Sequence, residues 1–186
     1  MRESPKQTVL ADDDKNTLQT LLLMRVPPLI IGLVLGFVIS FATSRFEEVL
    51  TKHVEVAFFI PFIVYMADAI GTQTQTIYTR DLARGKANFI TYLFKESALG
   101  LILGTIFGVI SLLVVSLWFG SFNLALIVGV ALFSAVATAP LVALLVAELL
   151  ELEHQDPAVG AGPIATVIQD TISVILYGLI ASFFIL

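Results

Sequence analysis

Two aspartates, Asp68 and Asp170, stand inside long apolar segments of the sequence. A carboxylate near the centre of a membrane-spanning helix costs about 2.5 to 3.5 kcal/mol on insertion scales, so each acid requires a compensating partner, water or ion. At about 1.5 Å of helix rise per residue, counted from Arg80 and from Gly162, the two carboxylates are predicted at depths within roughly 6 Å of each other. Two acids at one depth favour an ion pathway over the alternative, which is buried acids that only hold helices together.

Side chains that carry oxygen recur beside both aspartates at helical spacing. In the last apolar segment one helical face, at i, i+4, i+7 and i+11, holds Thr166, Asp170, Ser173 and Tyr177. In the second segment the same spacing holds Asp68, Thr72, Gln75 and Thr79, within the polar run 71–76. The pattern predicts a wet stripe on each helix, and interhelical hydrogen bonding is the alternative for the Thr and Gln run.

The ligand types in these stripes are those of hard cations. Carboxylates, amide oxygens, hydroxyls and water bind Mg²⁺ and Ca²⁺, and the few available donors favour Mg²⁺, which sheds its water reluctantly. Cysteine is absent and both histidines, His53 and His154, fall outside the apolar segments, which argues against zinc, copper or iron. The predicted metal ligands are Asp170 and Asp68, and the predicted neutral oxygens of the ion pathway come from Thr72, Gln73, Gln75, Thr166 and Ser173.

The composition indicates that lipid is the solvent for most of the chain. Of its 186 residues 58% are hydrophobic and 13% charged, and the mean hydropathy is +0.96, which no soluble domain of this length needs to fill a core. Because a span takes about 20 apolar residues, we predict an all-α membrane domain over 18–186 with five helices. Their predicted ranges are 18–44, 56–79, 97–119, 124–147 and 162–186, with a turn at 120–123.

The placement of Lys and Arg predicts the orientation. Eight basic residues fall on the side of the N-terminus, namely Arg2, Lys6, Lys15, Arg25, Arg80, Arg84, Lys86 and Lys95. Only Arg45 and Lys52 fall on the other side. The positive-inside rule therefore places the tail 1–17 in the cytoplasm and the C-terminus outside, in a multi-pass protein of the cell membrane.

Two further patterns carry predictions. Gly100, Gly104 and Gly108 recur every fourth residue, which predicts close packing of two helices. The inner loop after the fourth span gathers Glu148, Glu151, Glu153 and Asp156. This acidic cluster is either an ordinary solvated connector or a device that concentrates cations at the inner mouth.

The charge distribution and the surroundings of the two aspartates exclude some function classes and leave others open. The net charge of −5 and the absence of a basic stripe exclude nucleic acid as an expected partner. A proton-coupled carrier of another cation or solute is the nearest alternative to cation transport, because membrane carboxylates also relay protons. An intramembrane aspartyl protease is a remote one, since two acids could share a proton, but Asp170 lacks a glycine-flanked setting and Asp68 lacks a tyrosine neighbour. We therefore expect a protein that is not an enzyme.

Short motifs in this chain resemble those of the MgtE-type magnesium channels and transporters and of their relatives among animal solute carriers. In the last span the matching residues are Asp156-Pro157-Ala158, Gly162-Pro163, Asp170, Tyr177 and Ala181. In the second span they are Pro61, Gly71-x-Gln73 and Arg80-x-Leu82-Ala83-x-Gly85. The resemblance covers nearly all of residues 25–186.

The resemblance implies that Asp170 binds the metal, that residues around Gly71 line the pore, and that the pore lies at the interface of a homodimer. It implies no cofactor beyond the transported ion. The family usually has Gly-Gly-Asn before the Gly71 position, whereas this chain has Ala67-Asp68-Ala69 before Ile70, so Asp68 is an additional acid. The cytosolic sensor domains of well-known members have no counterpart in these 186 residues, which leads us to expect gating by the membrane part, gating by a separate cytosolic regulator, or no gating.

Overall fold

A computed structural model describes Asp12, residues 14–152 and residues 157–186 of the chain. In these ranges the chain folds into seven helices and contains no strand. They are α1 (Leu18–Ser44), α2 (Glu47–Lys52), α3 (Val54–Ala57), α4 (Ile60–Ala83), α5 (Phe89–Phe119), α6 (Phe122–Leu152) and α7 (Pro157–Ile185). Five stretches are long and apolar enough to cross a membrane: Leu18–Ser44, Val54–Ala83, Phe89–Phe119, Phe122–Leu152 and Ala161–Ile185. The predicted all-α fold with five spans is confirmed for the described residues, whereas the orientation stays a prediction.

Local sequence signals set the helix ends. The side chain of Thr17 accepts a hydrogen bond from the backbone N–H of Thr20 and caps α1, and Asn88 caps α5 in the same way through Thr91. Gly120 ends α5 in the left-handed conformation, with φ of 64°, where a side chain would be strained. The predicted turn at 120–123 therefore shortens to two residues, because α6 starts at Phe122.

Three helices extend beyond their predicted ranges into charged sequence, and the first of them, α4, continues past residue 79 through Arg80 and Asp81 to Ala83. Helix α5 begins at Phe89 rather than at residue 97 and so includes Glu96, whose carboxylate accepts a hydrogen bond of 2.7 Å from the Thr74 hydroxyl of α4. Helix α6 continues past residue 147 and includes Glu148, which accepts a hydrogen bond from the Tyr78 hydroxyl. The predicted ranges of α5 and α6 stopped at the first charge, but hydroxyl partners on α4 let these two helices continue.

The glycines of α5 bring its backbone against α6. A Cβ at Gly104 would lie 2.8 Å from the carbonyl oxygen of Phe133, and one at Gly108 would lie 2.8 Å from that of Gly129. At the third glycine, Gly100, it would lie 3.0 Å from the Ala137 oxygen. This confirms the prediction that the three glycines serve close helix packing.

Helix α6 is the most buried of the spans, and its other face supports the polar helices. Helices α4 and α7 both pack against α6 and against each other. Helix α1 packs outside them, on α7, and buries none of its side chains. The three helices α4, α6 and α7 therefore form the cluster that positions both aspartates.

Candidate cation site

A hydrogen bond between two helices fixes Asp68. The Thr166 hydroxyl of α7 donates to Oδ1 of Asp68 on α4 over 2.8 Å. Both side chains are half-buried. Because Thr166 precedes Asp170 by four residues, or about 6 Å of helix, the two carboxylates lie roughly one turn apart in depth. This hydrogen bond supports the predicted agreement in depth, which stays a prediction.

A glutamine that sequence analysis passed over lies beside this pair. Gln169 is only 2% exposed, and its Nε2 donates 3.1 Å hydrogen bonds to the Ala135 carbonyl oxygen of α6 and to Oγ of Ser173. Its Oε1 is buried and has no hydrogen-bond partner among the described residues. A buried amide oxygen without a donor is costly, and it points to a ligand or a water.

A small cleft brings these groups together. It has a volume of about 200 Å³, counted with its open mouth. Its polar lining consists of Asp68, Gly71, Thr72, Gln75, Thr166 and Gln169, and its apolar wall comes from Ala139, Val142, Ala143 and Ala165. The cleft therefore contains one carboxylate surrounded by hydroxyl and amide groups, which suits a cation.

Asp170 lies next to Gln169 but is not part of the cleft lining. Its side chain is half-buried, and its Oδ1 atom has no hydrogen-bond partner in the part of the chain that the structure describes. The rest of the predicted stripe on α7 is occupied by packing. Ser173 is fully buried against Gln169, and the Tyr177 hydroxyl donates to the Val56 carbonyl oxygen over 2.6 Å.

The predicted pathway residues of α4 divide between two surfaces. Gly71 and Gln75 line the cleft with Asp68, and Thr72 lines it at the exposed side. Gln73 is exposed and outside the cleft, as is Thr76 on the same side of the polar run. The C-terminal half of α4 thus carries a polar surface that no other described part of the chain covers.

The sequence of this region matches a known family. Residues 60–180 match the MgtE profile, described as a divalent cation transporter, and this range contains both aspartates and every residue of the cleft. The chain belongs to the MgtE family.

Three curated magnesium transporters named MgtE are similar to this MgtE-family chain. The protein from Enterococcus faecalis is 32% identical over 163 residues, which is 86% of this chain and 36% of the relative. That from Bacillus subtilis is 29% identical over 164 residues, 87% of this chain and 36% of the relative. The Thermus thermophilus protein is 31% identical over 160 residues, which is 83% of this chain and 35% of the relative. The chain thus spans about a third of the length of these relatives.

Membership in the MgtE family confirms the resemblance read from the motifs, and it makes the chain a membrane protein. The family is one of transporters rather than enzymes, so it gives no support to the aspartyl protease alternative.

The acidic cluster at the end of α6 in this MgtE-family chain is only partly described. Glu148 is half-buried and accepts the Tyr78 hydroxyl, whereas Glu151 is exposed. Glu153 and Asp156 lie outside the described residues. The described half of the cluster therefore combines one structural acid with one solvated acid.

Proposed function

We propose that this chain transports a divalent cation, with magnesium as the proposed ion, across the cell membrane. The ion would pass along the polar surface of α4 and α7, at the interface of a homodimer. The observation that carries the proposal is the half-buried Asp170, whose buried Oδ1 lacks a donor and which lies one helical turn from the Asp68–Thr166 pair. Family membership and the names of the three relatives support the choice of cation.

The chemistry of a hydrated cation fits acceptors without donors. Water molecules in the shell of Mg²⁺ direct their hydrogens outward, and Mg²⁺ usually keeps several of them when it binds to carboxylates. Asp170 offers a negative charge and an acceptor atom to such a shell. Asp68 adds a second charge at nearly the same depth, so the pair attracts a divalent ion where an isolated charge would be costly.

The exposed polar surface of α4 supports a homodimer. Thr72, Gln73 and Thr76 are exposed on a helix that crosses the membrane. Lipid cannot satisfy their hydroxyl and amide groups, and an unsatisfied polar group in hydrocarbon costs several kcal/mol. A second copy of the chain, with water and ions between the two, would cover this surface.

Flux measurements on proteoliposomes test the transport proposal. We expect magnesium uptake, driven by a membrane potential at equal pH on both sides, to fall by roughly tenfold or more in Asp170→Asn, because a charged hydrogen bond is worth about 1.5 to 3 kcal/mol. Glu47→Gln, which removes an exposed acid of α2, is the matched control and should transport as the wild type does. Equal flux in wild type and Asp170→Asn would refute the proposed pathway.

A pH gradient separates the alternative. If the protein is a proton-coupled carrier, flux appears or rises only when the two sides differ in pH, and the proposed potential-driven movement of magnesium is refuted. Uptake that follows the membrane potential at equal pH supports the proposal. Uptake that requires an added cytosolic protein would identify a regulator and keep the pathway.

Cross-linking tests the homodimer. The chain has no cysteine, so a single introduced cysteine reports its own partner. We expect Gln73→Cys, on the exposed polar surface of α4, to form a disulfide-linked dimer under oxidation in membranes. Leu113→Cys, on the exposed apolar side of α5, is the control and should stay monomeric. Equal cross-linking of both variants would contradict an interface at α4. Because a disulfide requires Cα atoms within about 7 Å, a longer bismaleimide that reaches across the water between the copies is used in parallel, and failure of Gln73→Cys with both reagents would also contradict the interface.

A further inference from the structure

The amide group of Gln169 has a fixed orientation. Its Nε2 must face the Ala135 carbonyl, because a carbonyl oxygen only accepts and the amide oxygen could not replace the nitrogen there. The second Nε2 hydrogen is directed to Ser173. Both amide hydrogens are thus donated, one to α6 and one within α7. Gln169 lines the cleft, and its Oε1 is the amide atom that is free to bind a ligand there.

The Asp68 carboxylate presents a matching set of oxygens. Thr166 occupies its Oδ1 with one hydrogen bond, and the hydroxyl oxygen of Thr166 keeps lone pairs of its own. Gln75 lines the same cleft from about two turns further along α4. One carboxylate and several neutral oxygen-bearing side chains therefore line one cleft whose remaining wall is apolar.

The size of the cleft decides in which form an ion would enter. A water molecule takes a share of about 30 Å³ in liquid, so an ion with six waters needs nearly the whole 200 Å³, and that volume includes the open mouth. The enclosed part has room for about one water-sized particle. A hydrated ion does not fit inside, whereas an ion that has lost most of its waters does.

We propose that each protomer holds its own site for a divalent cation, bound directly rather than through water by Asp68, Gln169 Oε1 and the Thr166 hydroxyl. The inference deepens the proposed function and rests on it for the class of ion. It differs in position and in chemistry from the hydrated ion at Asp170. Since Mg²⁺ loses water reluctantly, this site favours cations that dehydrate more readily, such as Ca²⁺ and Mn²⁺.

Binding of Mn²⁺ to the full chain in lipid nanodiscs tests this site without transport. Free Mn²⁺ is counted by electron paramagnetic resonance, and water ligands on bound Mn²⁺ are counted by pulsed measurements in deuterated water. We expect Asp68→Asn, which keeps the shape of the side chain, to lose one Mn²⁺ per protomer. Thr166→Val should weaken the same class of sites roughly tenfold, which corresponds to about 1.4 kcal/mol, and Glu47→Gln should change nothing.

The outcomes separate this site from the proposed function. Three results together support the inference even if no flux is seen. Asp68→Asn binds one Mn²⁺ fewer per protomer than the wild type. In the wild type that additional Mn²⁺ carries few water ligands and is displaced by Ca²⁺ at a lower concentration than by Mg²⁺. Unchanged binding in Asp68→Asn, or an ion that keeps all its waters, overturns it, and the cleft then holds a water molecule. Flux that depends on Asp170 would survive that result.

Discussion

The contact between α5 and α6 offers the clearest test of the packing that supports the site. At Gly108 an alanine Cβ would lie 2.8 Å from the Gly129 carbonyl oxygen, and a Cβ at Gly129 would lie 2.9 Å from the Gly108 oxygen. These neighbours are backbone atoms, so rotation of a side chain cannot relieve either contact. Gly108→Ala therefore requires the two helix axes to move apart.

The magnitude follows from what such a movement costs. Overpacking a close contact destabilises by about 1 to 3 kcal/mol, and a gap of 0.5 to 1 Å removes roughly a quarter to a half of the dispersion energy along the contact. Gly36 of α1 is the matched control, since nothing lies within 4 Å of the position that its Cβ would take. There the same substitution should stabilise by about 0.5 to 1 kcal/mol, because alanine favours the helix.

Unfolding in mixed detergent micelles measures both variants. Far-UV circular dichroism and the fluorescence of the single tryptophan, Trp118 at the end of α5, report the transition. We expect the free energies of unfolding of Gly108→Ala and Gly36→Ala to differ by roughly 1.5 to 4 kcal/mol. Equal stability of the two variants would mean that α5 and α6 do not touch at these glycines in the membrane, and the wall behind the cleft would need a different support.

Three further predictions use the same assays. Tyr78→Phe removes the hydroxyl that donates to Glu148 and should lower the free energy of unfolding by about 1 to 3 kcal/mol. The control Tyr65→Phe, on the exposed side of α4, should change it by no more than about 0.5 kcal/mol. Equal free energies of unfolding for the two variants would mean that water replaces the Tyr78 hydroxyl. Glu151→Gln should leave stability unchanged but alter the dependence of flux on cation concentration at that side, and an unchanged dependence would leave the acidic cluster a plain connector. Asp68→Ala should lower the stabilisation by Mn²⁺ by the share of one site, which is about 2.7 kcal/mol at a hundredfold excess over its dissociation constant. Equal stabilisation of wild type and variant would place the Mn²⁺ elsewhere.

Hydropathy made the five spans predictable, because a segment that crosses lipid must be apolar over its whole length. The glycine spacing likewise predicted the contact of α5 with α6, since only small side chains permit it. The ends of α5 and α6 were not predictable in the same way. Glu96 and Glu148 look like span boundaries in sequence, and only the hydroxyls of Thr74 and Tyr78 on another helix make them part of the packed structure.

The role of Gln169 was missed because the sequence shows a helical face without its neighbours. The predicted stripe followed Asp170 to Ser173, and the structure buries Ser173 fully, where it accepts a hydrogen bond from Gln169. Gln169 follows Thr166 by three residues, so the two are neighbours on the surface of α7. That spacing was a signal for Gln169 as a partner of the pathway. The contact with Ala135, which leaves its amide oxygen without a donor, depends on how α6 packs and could not be read from α7 alone.

The extra acid at position 68 has to be offset by something in this chain. Inserting this carboxylate into the membrane costs about 2.5 to 3.5 kcal/mol, and the hydrogen bond from Thr166 stabilises it by only about 1.5 to 3 kcal/mol. Gln169 adds to the deficit, since its amide oxygen is buried without a donor. Two separate costs thus meet in one cleft of α4, α6 and α7, and one bound cation would offset both at once. Packing alone explains neither, because an apolar side chain at position 68 would pack in the same place without the cost of burying a charge.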